Sequence, residues 1–265
     1  MSAVRGGPGP VRRIFVAALS AEGLKLRTLR STWWNLAAVV ALSIGIGTLY
    51  GSVIKGNYDD FGATPDWDPV GYGFAGTSVA QLALVCFGVL AVGAEYSAGT
   101  VGASLTAVPR RGVFGAAKFT AVAVTAFAVT LPTAFLTFAA AQTAMGERQN
   151  AALDDPGAVR AIVGLAVYLT LLCLISAGVT MMLRSTVLAL GILVPLFFIV
   201  SDILANLPGV GSVAQYLPNV AGAQILRVVP DDRIDVGAWG GLGVLLVWTA
   251  AALCGGLVTL RRRDA

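Results

Sequence analysis

The sequence predicts an all-α polytopic membrane protein with six transmembrane helices. Three observations predict it: a composition too apolar and too sparsely charged for a soluble domain, six apolar stretches of bilayer-spanning length, and cations gathered at one end of those stretches. Of 265 residues, 57% are hydrophobic and 12% charged, and the mean hydropathy is +0.80. Soluble domains carry about 25% charged residues. The net charge of +4 does not point to nucleic acid, because its distribution, not its sum, carries the information. The whole chain, 1–265, reads as one membrane domain.

The first element is an amphipathic segment, residues 11–32. At 100° per residue Val11, Phe15, Leu19, Leu26 and Leu29 share one face, with Arg12, Arg13, Arg27 and Arg30 beside or opposite it. That pattern predicts a helix lying on the cytoplasmic leaflet, its basic residues toward anionic headgroups. Glu22 falls on the apolar face, where it either pairs with a cation such as Lys25 or sits at the water line. Trp33 and Trp34 mark the interface where the chain turns into the bilayer.

A spanning helix needs about 20 mostly apolar residues, since the hydrocarbon core is ~30 Å thick. Six stretches qualify: 33–54, 78–95, 113–143, 159–183, 186–206 and 237–260. The third carries Lys118 near its start and Pro132 inside. The fourth and fifth are separated only by the sequence RST, which predicts a tight helical hairpin. Pro195 predicts a kink in the fifth, because proline lacks the backbone donor.

With six spans both termini share a side. That side holds Arg5, Arg12, Arg13, Lys25, Arg27, Arg30, Arg110, Arg111, Lys118, Arg184 and Arg261 to Arg263; the other holds only Lys55, Arg148, Arg160, Arg227 and Arg233. The positive-inside rule makes the first side cytoplasmic. Ten acids, Asp59, Asp60, Asp66, Asp68, Glu147, Asp154, Asp155, Asp231, Asp232 and Asp235, fall outside. Within or near the spans only Glu95 and Asp202 are acidic, and they form no proton relay, which argues against an ion-coupled transporter.

The chain has no histidine, and Cys86, Cys173 and Cys254 all lie in apolar stretches. No metal site and no catalytic constellation is expected, so an intramembrane enzyme is disfavoured. The 32 glycines read either as close helix contacts, notably in GGLGVLL and CGGL of the last stretch, or as a compositional bias.

Between the second and third stretches lies GAEYSAGTVGASLTAVPRRG, residues 93–112. Ser97 and Thr100 are candidate N-caps. Val101, Leu105 and Val108 form one apolar stripe on a short helix, and Pro109 should end it at Val108. Such a stripe must be buried, either on a partner, back on the spans or against lipid.

Three segments carry a family resemblance. AEGLKLRTLRSTWW, residues 21–34, resembles the opening of bacterial type-2 ABC transporter permeases, of the form A-E-x-x-K-L-R-x-x-R-S-x-x-W; the matches are Ala21, Glu22, Lys25, Leu26, Arg27, Arg30, Ser31 and Trp34. The family's G-E-Y-S-x-G-T followed by L-T-x-x-P-R-R is matched by Gly93 (displaced by one residue), Glu95, Tyr96, Ser97, Gly99, Thr100, Leu105, Thr106, Pro109, Arg110 and Arg111. YLPNVAGAQIL, residues 216–226, is similar to an external Y-L-P-x-x-A-G before the last span.

The resemblance implies that residues 11–32 are an elbow helix and residues 96–109 a cytoplasmic coupling helix. Short external re-entrant helices would precede the last span. The coupling helix would dock on a separate ABC ATPase through Glu95, Tyr96, Ser97, Gly99, Thr100, Val101, Leu105, Val108, Arg110 and Arg111, with Leu105 inserted deepest. The elbow set is Arg12, Arg13, Glu22, Lys25, Arg27, Arg30, Trp33 and Trp34. Glu95 would cap or tether the coupling helix. The family's basic residue after the G-T pair is replaced here by Gly102, which puts one polar contact in doubt.

The implied complex has two ATPase copies and a second permease, identical or related, in a bacterial cytoplasmic membrane with both termini cytoplasmic. The chain has no phosphate-binding G-x-x-x-x-G-K-[ST] loop, so ATP and magnesium would sit on the partner ATPase and this chain would bind no cofactor. The implied activity is ATP-driven export of a lipophilic, drug-like, peptide or lipid substrate, with no substrate-binding residue legible. The alternative is a non-transporting membrane anchor or sensor.

Overall fold

The computed structural model describes residues 10–57, 67–108, 110–206, 211–230 and 234–262. Of the charged and proline positions singled out above, Arg5, Asp59, Asp60, Asp66, Pro109, Asp231, Asp232, Arg233, Arg263 and the Asp202 side chain lie outside the described set. All regular structure among the described residues is helical. Among these residues five helices are long and apolar enough to cross a membrane: α2 (Arg30–Gly56), α4 (Thr77–Ser97), α6 (Arg111–Met145), α7 (Ala158–Leu183) and α12 (Ala238–Arg262). They extend the expected stretches by one to three residues at most ends. Before them comes α1 (Pro10–Thr28), and between them the short α3 (Pro69–Gly73) and α5 (Val101–Ala107).

The core is built round α7. Its mean hydropathy is 2.4, and 78% of its apolar window is buried, against 28% for α2 and for α12. A helix apolar on every side has no polar face to offer water and belongs in the middle. Helices α4, α6 and α12 pack on it, and α2 closes the outside against α4 and α6. Small residues set the spacing. A Cβ on Gly178 would sit 2.6 Å from the Ala252 carbonyl oxygen of α12, and one on Gly256 3.1 Å from the Gly178 carbonyl oxygen. In the last helix Gly241, Gly255 and Gly256 are contact points, whereas Gly243 faces open space, so the glycine bias serves packing at some positions only. Gly178→Leu is expected to force α7 and α12 apart and lower the thermal unfolding midpoint by several degrees; an unchanged midpoint would mean that the contact yields without cost.

The fifth stretch differs from expectation. It forms α8 (Thr186–Pro195), a π turn (Leu196–Val200) and α9 (Ser201–Asn206), not one regular helix, and its apolar helix is shorter than the other five. Pro195 cannot donate to the preceding turn, and the ladder widens after it. Asn219 fills the opening: its Nδ2 donates to the Phe197 carbonyl at 3.1 Å, and its Oδ1 accepts from Ser201 Oγ at 2.8 Å. Asn219 belongs to the YLPN segment, which follows α10 (Gly211–Ala214) and forms α11 (Pro218–Ala223) and a 3₁₀ turn (Gln224–Leu226). At the same end Tyr168 Oη donates to Gln81 Oε1 at 2.6 Å. Asp68, one of the acids expected on the outer side, is buried; it caps α3 and accepts from the amides of Val228 and Val229 at 2.7 and 3.2 Å.

Helix α1 stops at Thr28, not at residue 32. Leu29 is extended (φ −78°, ψ 119°), and α2 starts at Arg30, ahead of Trp33. Trp33 Nε1 donates to the Arg27 carbonyl at 2.9 Å and closes the corner. The buried face of α1 is also different: Ala18, Glu22 and Leu26 are buried, while Val11 and Leu29 are exposed. Leu29 is carried off the face by the break, and Val11 lies on the first turn, beyond the buried segment.

Candidate functional site

Four ionisable side chains from three helices close into a ring where α1 crosses the start of α6. Lys118 Nζ of α6 donates to Glu22 Oε2 at 2.6 Å and to Glu95 Oε1 at 2.9 Å. Lys25 Nζ donates to Glu22 Oε1 and Glu95 Oε1, both at 2.7 Å. Glu22 and Lys118 are only 5% and 3% exposed. Each oxygen of Glu22 serves one lysine, whereas one oxygen of Glu95 serves both. The Phe114 ring lies 5.4 Å from the Lys118 ammonium and 5.9 Å from that of Lys25, so its π face supports both cations.

Two carboxylates and two ammoniums sum to zero, so the ring can be buried without a net charge. Glu22 thus sits inside an ion cluster, not at the water line. Its spacing from Lys25 on α1 put the first pair together, and α6 supplied the second cation. Lys25 is the half-exposed member. Burial alone would lower its pKa; its hydrogen bonds to Glu22 and Glu95 outweigh that and raise it. A raised lysine contributes its stabilisation throughout neutral pH and loses it only as pH climbs past the ordinary lysine range.

The 93–108 segment is fastened to the chain at several points. Ser97 Oγ and Thr186 Oγ1 share a hydrogen bond of 3.1 Å, and the Arg184 guanidinium lies 5.9 Å from the Tyr96 ring centroid. A Cβ on Gly93 would collide with the Thr186 hydroxyl. Gly93, Tyr96 and Ser97 therefore seat the end of α4 on the α7–α8 turn, where Arg184 takes a left-handed conformation (φ 56°). Gly99, also left-handed (φ 66°), then turns the chain into α5.

Helix α5 begins at Val101 and ends at Ala107, with Val108 as its C-cap, so it is shorter than the expected 96–109. Thr100 occupies the N-cap position but makes no side-chain cap hydrogen bond, and Ser97 is engaged with Thr186. Neither caps the helix. The larger correction concerns the stripe. Val101 and Leu105 are 5% and 9% exposed and belong to the chain's own core, and Val108 packs against it. The stripe is spent on the spans, and Leu105 is not on offer to a partner. The outward face carries Gly102, Ala103 and Thr106, preceded by exposed Ser97, Ala98, Gly99 and Thr100. Ser104 Oγ lies 3.5 Å from Lys25 Nζ, which brings α5 to the ion ring. Glu95 does not cap α5; its carboxylate goes to the two lysines.

The remaining basic positions divide. Arg12, Arg13, Arg27, Arg30 and Arg110 are exposed. Arg111 Nη1 donates to the carbonyls of Leu260 and Arg261 at 3.4 and 3.5 Å and so caps the end of α12. Lys118 and Phe114 were missed as site residues. The available signal was a lone lysine inside an apolar stretch, which demands a buried counter-charge. Among the described residues no cluster of three or more metal-ligating side chains occurs.

Among the described residues the fold is all helical, with five helices of membrane-spanning length and a buried ion ring beside a short inter-helix segment. Comparison with protein-family models and with curated proteins yields no match.

Proposed function

We propose that this chain is the membrane-spanning subunit of an ATP-driven exporter, in which α5 is the coupling helix and α1 the elbow. In this reading the bent run Thr186–Asn206 is the sixth crossing. It is helical without interruption and at ~1.5 Å per residue reaches about 30 Å. Both termini and α5 then share the cytoplasmic side of a bacterial inner membrane. The single observation that carries the proposal is the mounting of α5: a short helix whose apolar side is locked into the spans, beside an ion ring that joins α1, α4 and α6, and whose other side is small and bare. A plain reversal of direction between α4 and α6 requires none of this.

Two ATPase subunits would bind ATP and magnesium, and two permease copies would enclose the substrate path. Closure of the ATPases on ATP would push α5. Because α5 is wedged against the spans, it could not move alone; the ring makes α1, α4 and α6 move with it. Unequal ATP affinity in the two arrangements supplies the bias. The small, apolar faces suit a lipophilic substrate, a peptide or a lipid.

The test is purification of the chain from its native membrane. An ATPase of similar abundance should accompany it, and its hydrolysis should respond to substrate. A folded chain that carries no ATPase would favour the anchor or sensor reading. Orientation is tested separately: a cysteine at Asp154 should react with an impermeant thiol reagent added outside intact cells, and one at Gly102, where a side chain meets nothing within 4 Å, should not. The reverse labelling would overturn the layout.

A further inference from the structure

A groove of about 880 Å³ opens between α1, the start of α6 and the end of α12. Four guanidinium groups line it: Arg12 of α1, Arg110 and Arg111 at the start of α6, and Arg261 of α12. Among the described residues that line it, none carries a carboxylate. The fold actively builds this crowding. Arg111 is held by the terminal carbonyls of α12. Gly112 leaves room for the Arg261 guanidinium to lie on the α6 backbone; a Cβ there would collide with it. Helix α6 starts without a side-chain cap, so the positive end of its dipole adds to the same field. Arg12, Arg110 and Arg261, like charges brought together from three helices, repel one another, and an anion relieves that repulsion.

The rest of the lining identifies the anion. It is an apolar wall made by Val11 and Phe15 of α1 and Val113 and Ala116 of α6. A free phosphate would leave that wall wet, and a segment of acidic side chains would have nothing to put against it. An amphiphile satisfies both halves. We propose that the groove binds an acidic phospholipid, its phosphate between Arg12, Arg110 and Arg261 and the start of an acyl chain along Phe15, Val113 and Ala116. Guanidinium pairs match phosphate oxygens with bidentate hydrogen bonds. The bound lipid would join α1 to α6 and α12 at the same end as the ion ring. The proposal rests on the membrane reading of the chain and does not depend on the ATPase.

The experiment uses the full chain in mixed micelles containing equal phosphatidylglycerol and phosphatidylcholine, with native mass spectrometry counting retained lipids. The expected result is selective retention of one phosphatidylglycerol. Arg12 and Arg110 are both exposed, so Arg12→Gln with Arg110→Gln should spare the fold, checked by an unchanged unfolding midpoint in lipid-free detergent. With each basic residue near the surface contributing about a fivefold factor, the double variant should lose affinity on the order of thirtyfold. Arg148→Gln, an exposed position outside the groove, should change nothing. Equal retention of both lipids, or undiminished phosphatidylglycerol binding in the double variant, overturns the proposal. Displacement of the lipid by millimolar inorganic phosphate would assign the groove to free phosphate. Absence of lipid selectivity together with loss of a bound protein partner from the double variant would assign it to an acidic protein surface. Either of these outcomes also overturns it.

Discussion

Lys118→Met is expected to reduce the folded chain in the membrane severely. Methionine matches the bulk of the lysine stem, so packing round α6 is nearly preserved and the charge is what is lost. Glu22 and Glu95 would then share the single ammonium of Lys25, which is half-exposed. Removing one partner from a buried ion cluster costs about 3–5 kcal/mol, because a desolvated charge is left uncompensated. That is a large part of the roughly 5–15 kcal/mol that holds a typical domain together. Glu22→Leu added to Lys118→Met removes one acid with one base and leaves the Lys25–Glu95 pair at 2.7 Å. It should recover most of the loss, since a buried ion pair is often no better than well-packed apolar groups. Membrane abundance and unfolding midpoint in detergent measure both. Wild-type stability in the single variant would show that the ring is permeable to water and carries little energy. Failure of the double variant to recover would show that geometry, not charge balance, is what Lys118 supplies.

The two faces of α5 should respond in opposite ways. Leu105→Asp puts a charge into the chain's own core, so it is expected to destabilise the chain itself by several kcal/mol, as for any unpaired buried charge, and to lower its abundance. Gly102→Trp adds a large side chain where nothing lies within 4 Å. It should leave abundance and unfolding unchanged, yet, with α5 as the proposed coupling helix, reduce bound ATPase by about tenfold or more by obstructing the outward face. Thr106→Arg, on the same exposed face, should act likewise. Measurement of ATPase co-purification beside membrane abundance separates the two effects. Normal abundance with selective loss of ATPase in Leu105→Asp would restore the apolar stripe as the docking surface. Full ATPase binding in both outward variants would remove α5 from the interface.

The sequence by itself determined the class of protein and the positions of its long helices, because an apolar run of bilayer length has few other fates. The ends of α7 and the short turn at Arg184 and Ser185 were legible from where charge interrupts apolarity. The corner before α2 was legible only approximately: Trp33 and Trp34 marked the interface, but the break falls at Leu29, and Trp33 reaches back to fasten it. Tertiary structure decided what each local pattern was for. The stripe Val101, Leu105 and Val108 has the same spacing whether it faces a partner or the spans; only the packing of α5 shows that it faces the spans. Pro195 announced a kink, but the π turn depends on Asn219 arriving from a later segment to satisfy the freed backbone. Glu22 looked misplaced on an apolar face because its buried partner Lys118 lies 96 residues further along the chain, and Glu95, the second acid that shares the lysines, 73 residues further. Helical periodicity relates neighbours three and four positions apart. A charge balanced across three helices leaves no trace in that spacing, and the balance exists only once the helices are assembled.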